Sequence, residues 1–297
     1  YLDESKKATW GKMTTAGDGK TVYLPLIFFF NRNPGLALPL IALQYHEVRI
    51  DFDLASNFTT YLNASVFKVW ANYVYLDTEE RRRFAQKGHE YLIEQVQHTG
   101  TDTVTADGGT KQVRLSYNHP VKELVWCFSN TQTNNSLWNF TTASTDLNIK
   151  LDSNQSSLEG SNCFVTTSHV GVPMVKVGAI GSTSIFTEEA VGPLATFKLI
   201  LNGQDRFKEQ KGKYFNQVQS YNHHTGSPYP GIYSYSFALK PEEHQPTGTC
   251  NFSRIDNAQV QVVTAGTTNN AISMHMFATN YNVLRIQSGM GGLAFSN

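Results

Sequence analysis

Two histidine–glutamate pairs are the residues of this sequence that most directly suggest chemistry. His46-Glu47 and His89-Glu90 carry the side chains that zinc enzymes use as ligands and as general bases. The motif HExxH needs a second histidine four residues after the first, but Ile50 stands at that position after His46. In a strand, adjacent side chains point to opposite faces, so neither pair can supply two ligands to one ion. We therefore expect polar residues at a domain edge and no bound metal, unless the two pairs meet in space.

Other motifs with a known chemistry give no further site. His223-His224 lie in "NHHTGSPYPG", a loop rich in glycine and proline, where adjacent histidines are usually solvated. The motifs GxSxG, GxxxxGK[ST] and GxGxxG are absent from the sequence. The glycine-rich residues 288–295 have no helix after them, which favours a flexible end or a packed tail. No particular pair of carboxylates stands out, so we predict no catalysis, no metal and no cofactor.

The composition is that of a globular protein, and its balanced net charge gives no preference for polyanionic partners. Of 297 residues, 40% are hydrophobic and 16% are charged, and 24 Lys+Arg balance 24 Asp+Glu. This balance argues against direct binding of nucleic acid. The longest apolar runs, residues 24–30 and 36–43, are too short to cross a bilayer as a helix. Three widely spaced cysteines without a CxxC motif indicate reduced thiols.

The chain is predicted to consist mainly of β-strands, because β-branched and aromatic residues fill its apolar runs. In residues 46–54, for example, Val48, Ile50 and Phe52 alternate with charged residues, as in a strand with one buried face. The strands are predicted at residues 21–30, 46–54, 65–77, 111–118, 123–129, 195–203, 233–239, 258–264 and 273–286.

One helix and one long loop interrupt the strands. The helix is predicted at residues 77–86, with Asp77 or Thr78 as its N-cap and Gly88 as its stop. The polar residues 129–162 form a connection too long for the interior of a domain, so we expect them on the surface.

Three short motifs occur twice in the same order, about 208 residues apart, which indicates a duplicated domain. Tyr23 and Tyr233 each begin an aromatic strand, Arg-Ile-Asp starts at 49 and at 254, and Asn-Tyr starts at 72 and at 280. The second copy would fill residues 88–297. The first copy would then begin about 120 residues before Tyr1, so that residues 1–76 are its C-terminal part. With about eight strands in each copy, the jelly roll is the expected fold.

Five long segments of the sequence resemble the major capsid proteins of nucleocytoplasmic large DNA viruses, in particular those of algal viruses of the phycodnavirus type. The segments are "YLPLIFFFNRNPGLALPLIALQYHEVRIDFDL", "YLDTEERRRFAQKGHEYLIEQVQ", "LNGQDRF", "GTCNFSRIDNA" and "NYNVLRIQSGMGGLAF". The resemblance implies an all-β double jelly roll, that is, two consecutive eight-stranded β-sandwiches, of which the first is incomplete here. The domains would be 1–76 for the C-terminal part of the first jelly roll, 77–87 for a helical connector and 88–297 for the second.

The resemblance also implies a function and partners. The protein would be a structural subunit, assembled in the host cell into the outer capsid shell of the virion. It would form pseudo-hexagonal homotrimers that tile an icosahedral shell through trimer–trimer contacts. Minor capsid and penton proteins would be further partners, nucleic acid would not be bound directly, and an inner membrane would be met only indirectly.

Two other functions remain open from the residues alone. Jelly rolls often bind sugars, and Trp70, Trp126 or Trp138 could stack on a sugar ring, although Trp70 and Trp126 lie in predicted strands and are expected in the core. A metalloenzyme would rest only on the His-Glu pairs.

Sequons of the type N-x-S/T suggest N-glycosylation on the surface. We predict possible N-glycosylation at five asparagines that cluster in two polar loops: Asn57, Asn63, Asn134, Asn139 and Asn154.

Overall fold

The computed structural model describes residues 9–10, 13–14, 21–54, 67–104, 108–130, 194–226, 228, 231–264 and 272–295. The chain divides into two units. The small unit contains Met13–Ile93 and Asn282–Asn297, and the large unit contains Tyr1–Lys12 and Glu94–Tyr281. No helix in these described ranges is both long and apolar enough to span a bilayer.

The described part of the chain is mainly β. Its strands are β1 (His89–Val104), β2 (Thr110–Leu115), β3 (Pro120–Asn130), β4 (Leu194–Leu201), β5 (Gln204–Asp205), β6 (Gln210–Lys211), β7 (Ile232–Ser236), β8 (Cys250–Asn251), β9 (Ala258–Thr264), β10 (Ile272–Gln287) and β11 (Met290–Leu293). Its α-helices are α1 (Phe29–Arg32), α2 (Thr78–Gln86) and α3 (Gln219–His223). Short 3-10 turns occur at Pro34–Leu36, Leu40–Ala42 and Phe252–Arg254, and a π-helical turn at Tyr214–Val218 precedes α3.

The strand order is that of a jelly roll. One sheet has six strands in the order β1-β10-β3-β7, with β11 paired to β10 and β8 paired to β3. The other sheet has five strands in the order β2-β9-β4-β5, with β6 paired to β4. Strands that follow one another in sequence fall mostly in opposite sheets, as jelly-roll topology requires.

The core of the large unit lies between the inner faces of the two sheets. In β9, buried Ala258, Val260 and Val262 alternate with Gln259 and Gln261, as the period-two pattern predicted. Aromatic rings fill the middle: the fully buried Trp126 stacks on Phe197, with ring centroids 4.2 Å apart, and also contacts Phe215 and Tyr233.

The predicted helix is present as α2 in the small unit. The Asp77 side chain accepts a hydrogen bond from the backbone N–H of Glu80 (2.9 Å) and so caps the first turn. A turn at residues 33–35 precedes the helix, in which the Asn33 side chain accepts the N–H of Gly35 at 2.9 Å. The apolar run that follows bends into two 3-10 turns on either side of Pro39 and buries Leu36 and Ala42.

The C-terminal glycines pack as a hairpin, which confirms the packed-tail alternative. β10 and β11 pair in antiparallel register, with Leu284 opposite Leu293 at one end and Gln287 opposite Met290 at the other. At the turn, Gly289 has a φ of +81°, and a Cβ atom there would lie 2.4 Å from the ring of Tyr45. Only glycine combines that backbone conformation with so close an approach.

The predicted strands differ from the structure in two ways. The 16-residue strand β1 was not predicted, because its many Glu, Gln, His and Thr residues give it no alternating hydrophobic pattern. Conversely, the predicted strands at 21–30, 46–54 and 67–77 show no strand pairing among the described residues. Arg49 and Asp51 still form an ion pair (2.9 Å) on one face, as side chains two residues apart do in an extended chain. The local pattern is thus present, but a strand also needs a neighbour to pair with.

Candidate functional site

The first predicted histidine–glutamate pair is not a ligand set. His46 lies on the surface of the small unit, and its Nδ1 accepts a hydrogen bond from the backbone N–H of Gly291 (3.2 Å). The adjacent Tyr45 donates its backbone N–H to the carbonyl of Gly289 at 2.9 Å. His46 therefore fastens the C-terminal hairpin, and Glu47 is exposed.

The second pair separates in the way that strand geometry predicts. His89 donates Nε2–H to the carbonyl of Phe84 (2.8 Å), and its ring stacks on those of Phe84 and Tyr91. Glu90 accepts a hydrogen bond from Arg285 Nε at 2.8 Å. The described residues contain no group of three or more His, Cys, Asp or Glu side chains that could hold a metal ion.

The prediction that these adjacent histidines are solvated is wrong for His224, whereas His223 is half-buried. His223 belongs to α3 and its Nδ1–H donates to the carbonyl of Leu239 at 3.0 Å. The side chain of His224 is fully buried, with Nε2 at 2.9 Å from Oε2 of Glu123 on β3. α3 lies against β7 and brings its C-terminal end to this carboxylate, a tertiary contact that the loop-like sequence does not reveal.

A buried ion pair that sequence reasoning missed lies nearby in the large unit. Lys122 on β3 is only 1% exposed, and its Nζ lies 2.6 Å from Oε1 of Glu94 on β1. The ammonium also lies over the ring of Tyr281, 5.4 Å from the centroid, and His244 Nδ1 approaches the same Glu94 oxygen at 3.8 Å. Burial, followed by the charges of Glu94 and Glu123, raises the pKa of Tyr281 to about 12.

A β-bulge explains how Lys122 reaches this position. Thr279 pairs with Glu123 whereas Asn280 pairs with Val121, so Lys122 is the extra residue on β3. Its carbonyl is free to accept the backbone N–H groups of residues 237 and 238, at 2.9 and 3.2 Å. The Lys122 ammonium and the Glu94 carboxylate are paired within the protein, so this cluster links β1, β3 and the chain at residues 237–238.

The tryptophans divide between the core and the surface. Trp126 is fully buried, as predicted, whereas Trp70 is 84% exposed in the small unit, contrary to the prediction that it lies in the core. Trp138 lies outside the described residues. An open depression of about 350 Å³ beside β11 is lined by Arg285, Gln287 and residues 290–294, with no aromatic ring to stack on a sugar.

The reactivity of Cys127 tests whether its thiol is shielded from water in the folded protein. Desolvation raises the pKa of the Cys127 thiol from 9.0 to about 11 and also raises that of Cys250. At pH 8 the thiolate fraction of Cys127 is thus about 100-fold lower than in the unfolded chain. We expect iodoacetamide to modify Cys127 far more slowly in the native protein than in urea, as measured by peptide mass spectrometry. Equal rates in the two conditions would contradict the burial.

The five predicted glycosylation sites, Asn57, Asn63, Asn134, Asn139 and Asn154, lie outside the described residues and remain a prediction.

Comparison with known proteins gives long matches. A family model described as large eukaryotic DNA virus major capsid protein matches residues 80–292, and one described as major capsid protein N-terminus matches residues 3–77. The major capsid protein of Phaeocystis pouchetii virus is 42% identical over 342 residues, covering 93% of this chain and 65% of that protein. The major capsid protein of Paramecium bursaria Chlorella virus 1 is 42% identical over 322 residues, covering 97% of this chain and 69% of that protein.

The same likeness holds for the fold. The quasi-atomic model of the PBCV-1 virus capsid superimposes with a TM-score of 0.67 at 35% identity, over 97% of this chain and 75% of the other. The chain thus spans about two thirds of the length of the curated relatives that it matches.

Proposed function

The chain belongs to the family of major capsid proteins of large eukaryotic DNA viruses, and we propose that it forms homotrimers which tile the outer shell of an icosahedral virion. Its all-β fold is that of the double jelly-roll capsid proteins. The observation that carries the proposal is the match to this structural family along nearly the whole chain.

The geometry suits a structural subunit. The histidines singled out by sequence bind backbone groups or one carboxylate, and the buried charges are paired. A scaffold of this kind acts through large surfaces, because stable assemblies usually bury well over 1,000 Å² at each contact. Membership of a family of structural proteins agrees with the expectation that the chain is not an enzyme.

The internal repeat supports the proposed trimer. Closed cyclic symmetry is the usual solution for identical subunits. Three subunits with two similar jelly rolls each would present six similar lobes, and such a block would fill a hexagonal lattice. Minor capsid and penton proteins would join the blocks, while nucleic acid would not be contacted directly and an inner membrane would be met only indirectly.

We propose the domain boundaries 1–76, 77–87 and 88–297 on the same basis. The two family models divide the chain between residues 77 and 80, and α2 (Thr78–Gln86) lies at this junction. The repeated motifs fall on either side of it.

The oligomeric state tests the proposal. The chain has a mass of 33.2 kDa, so sedimentation velocity should give a species of about 100 kDa, and negative-stain electron microscopy should show pseudo-hexagonal particles. A protein that stays monomeric at high concentration would count against the trimer.

A further inference from the structure

The strand β7 lies at one end of the six-stranded sheet, and its sequence is of the kind that pairs readily with strands of other molecules. The segment from Ile232 to Leu239 reads IYSYSFAL, which contains no charged residue, no proline and no glycine. Uncharged segments of this length with high β-propensity join intermolecular sheets when their edge is open. At the other end of the described sheet, β1 carries Glu90 and Glu94, and charged side chains discourage such pairing. β7 has no charge of its own and needs another form of protection.

The backbone groups of β7 point alternately toward β3 and toward the open edge of the sheet. In an antiparallel pair, every second residue exchanges hydrogen bonds with the neighbouring strand, and the residue between turns its N–H and C=O away. The N–H of Phe237 donates to the carbonyl of Lys122 on β3 at 2.9 Å. The N–H of Ser236 and the carbonyl of Ile232 instead bond to side chains outside the sheet. Residues 232, 234 and 236 therefore form the free edge of β7.

Two side-chain amides occupy this edge in place of a further strand. Asn216 donates an Nδ2–H to the carbonyl of Ile232 at 2.8 Å, and Gln219 Oε1 accepts the N–H of Ser236 at 3.1 Å. Asn216 is 6% exposed and Gln219 is 4% exposed, so water hardly reaches either bond. One amide thus supplies a donor and the other an acceptor, as a neighbouring strand would.

The π-helical turn at Tyr214–Val218 sets the positions of the two amides. Gln219 donates Nε2–H to the phenolic oxygen of Tyr214 at 3.0 Å, a contact between residues five apart. This spacing matches the wider turn of a π-helix. Ser220 donates Oγ–H to the carbonyl of Asn216 at 2.8 Å and so ties the turn to α3. Because π-helical turns are rare and concentrate at functional positions, the turn indicates that the placement of the amides matters.

We propose that Asn216 and Gln219 form an edge cap, which prevents β7 from pairing with strands of other copies of this chain. The inference goes beyond the proposed function and does not depend on it, because it applies wherever many copies meet in solution. A side chain can close an edge without extending it, since it offers one donor or acceptor and no further strand backbone. The cap thereby protects the chain from aggregation through this edge.

A purely structural role of the two amides predicts a different behaviour. If they only satisfied buried backbone groups, their loss would lower the free energy of unfolding without creating an attraction between molecules. An edge cap predicts in addition that folded molecules with an open edge associate through intermolecular β-structure. Association of the folded variant therefore separates the two roles.

Three substitutions test the cap. Gln219→Met removes the acceptor for the Ser236 N–H and keeps the length of the side chain. Gln219→Glu is the rescue variant, because a carboxylate oxygen still accepts that N–H and the hydroxyl of Tyr214 can turn to donate. Gln112→Met is the matched control, since it places the same side chain at an exposed position on the five-stranded sheet and leaves β7 unchanged.

Two measurements report on the state of the edge. Hydrogen exchange of the Ser236 amide should be about 10-fold faster in Gln219→Met, because the loss of one buried hydrogen bond favours the open edge by about that factor. Thioflavin T fluorescence, followed well below the melting temperature, should rise about 10-fold faster with Gln219→Met than with the wild type. We expect Gln219→Glu and Gln112→Met to behave as the wild type does in both measurements.

The possible outcomes decide between an edge cap and a structural contact. Equal thioflavin T kinetics for folded Gln219→Met and Gln112→Met overturn the inference, and so does a Gln219→Glu variant that associates as fast as Gln219→Met. If Gln219→Met does not fold, Asn216→Leu opens the carbonyl of Ile232 and is judged by the same comparison. Circular dichroism melts show whether each variant is folded, and association that appears only with unfolding counts against the cap. A wild type that forms no trimer overturns the proposed function and leaves this inference unchanged.

Discussion

Replacing Lys122 by methionine is expected to lower the free energy of unfolding by about 3–5 kcal/mol. Methionine preserves most of the aliphatic stem but removes the ammonium group 2.6 Å from Glu94 Oε1. Glu94 is only 12% exposed, so its carboxylate loses its nearest cation in a place that water hardly reaches. His244 Nδ1, at 3.8 Å, is too distant to replace that contact in full.

Urea denaturation followed by fluorescence would measure the loss, and two further variants define its cause. Lys240→Met breaks the ion pair of Lys240 with Glu243, whose side chains are 66% and 53% exposed, and should cost less than about 0.5 kcal/mol. The double variant Lys122→Met/Glu94→Gln removes both charges and should recover roughly half of the loss. If Lys122→Met and Lys240→Met have equal effects, the buried pair does not hold the sheet as described.

Trp126→Ala is expected to destabilise the protein by about 3–5 kcal/mol as well, through a different mechanism. The indole is fully buried, stacks on Phe197 at 4.2 Å and contacts Phe215 and Tyr233. Alanine would leave a cavity between the two sheets that these rigid rings cannot fill. The mid-point of urea unfolding measures the loss.

Trp126→Phe separates packing from hydrogen bonding. The Nε1–H of Trp126 has no acceptor within the described residues, so phenylalanine loses ring volume but no hydrogen bond. We expect a cost below about 2 kcal/mol. Trp70→Ala is the surface control, since Trp70 is 84% exposed, and should change the free energy of unfolding by about 0.5 kcal/mol or less. A similar loss for Trp126→Ala and Trp70→Ala would refute the assignment of the core.

The sequence predicted those elements whose signal is local. The alternation of β9 and the cap of α2 by Asp77 depend on residues within one turn or one strand, and both are present. Strand geometry likewise predicted that His89 and Glu90 face apart, which their separate partners confirm. β1 was missed because its residues are mostly polar, although its backbone pairs along β10.

The candidate site was less accessible to sequence reasoning, because its contacts join distant segments. His224 and Glu123 are 101 residues apart, and Lys122 and Glu94 are 28 apart. The bulge that frees Lys122 arises from the pairing of β3 with β10 and has no signature in the residues around it.

The repeated motifs have the same residue types but differ in burial, which the sequence does not predict. Tyr23 and Tyr233 begin the same kind of aromatic run, yet Tyr233 is fully buried and Tyr23 is 61% exposed. Tyr281 and Tyr73 differ in the same way, at 5% and 67%. By itself the sequence determined the β-rich pattern, the duplication and the family resemblance, because these depend on residue order. Only the tertiary structure decided which copies of a motif are buried, which histidines bind carboxylates and which sheet edge is capped, because burial and capping depend on the segment that packs against a residue.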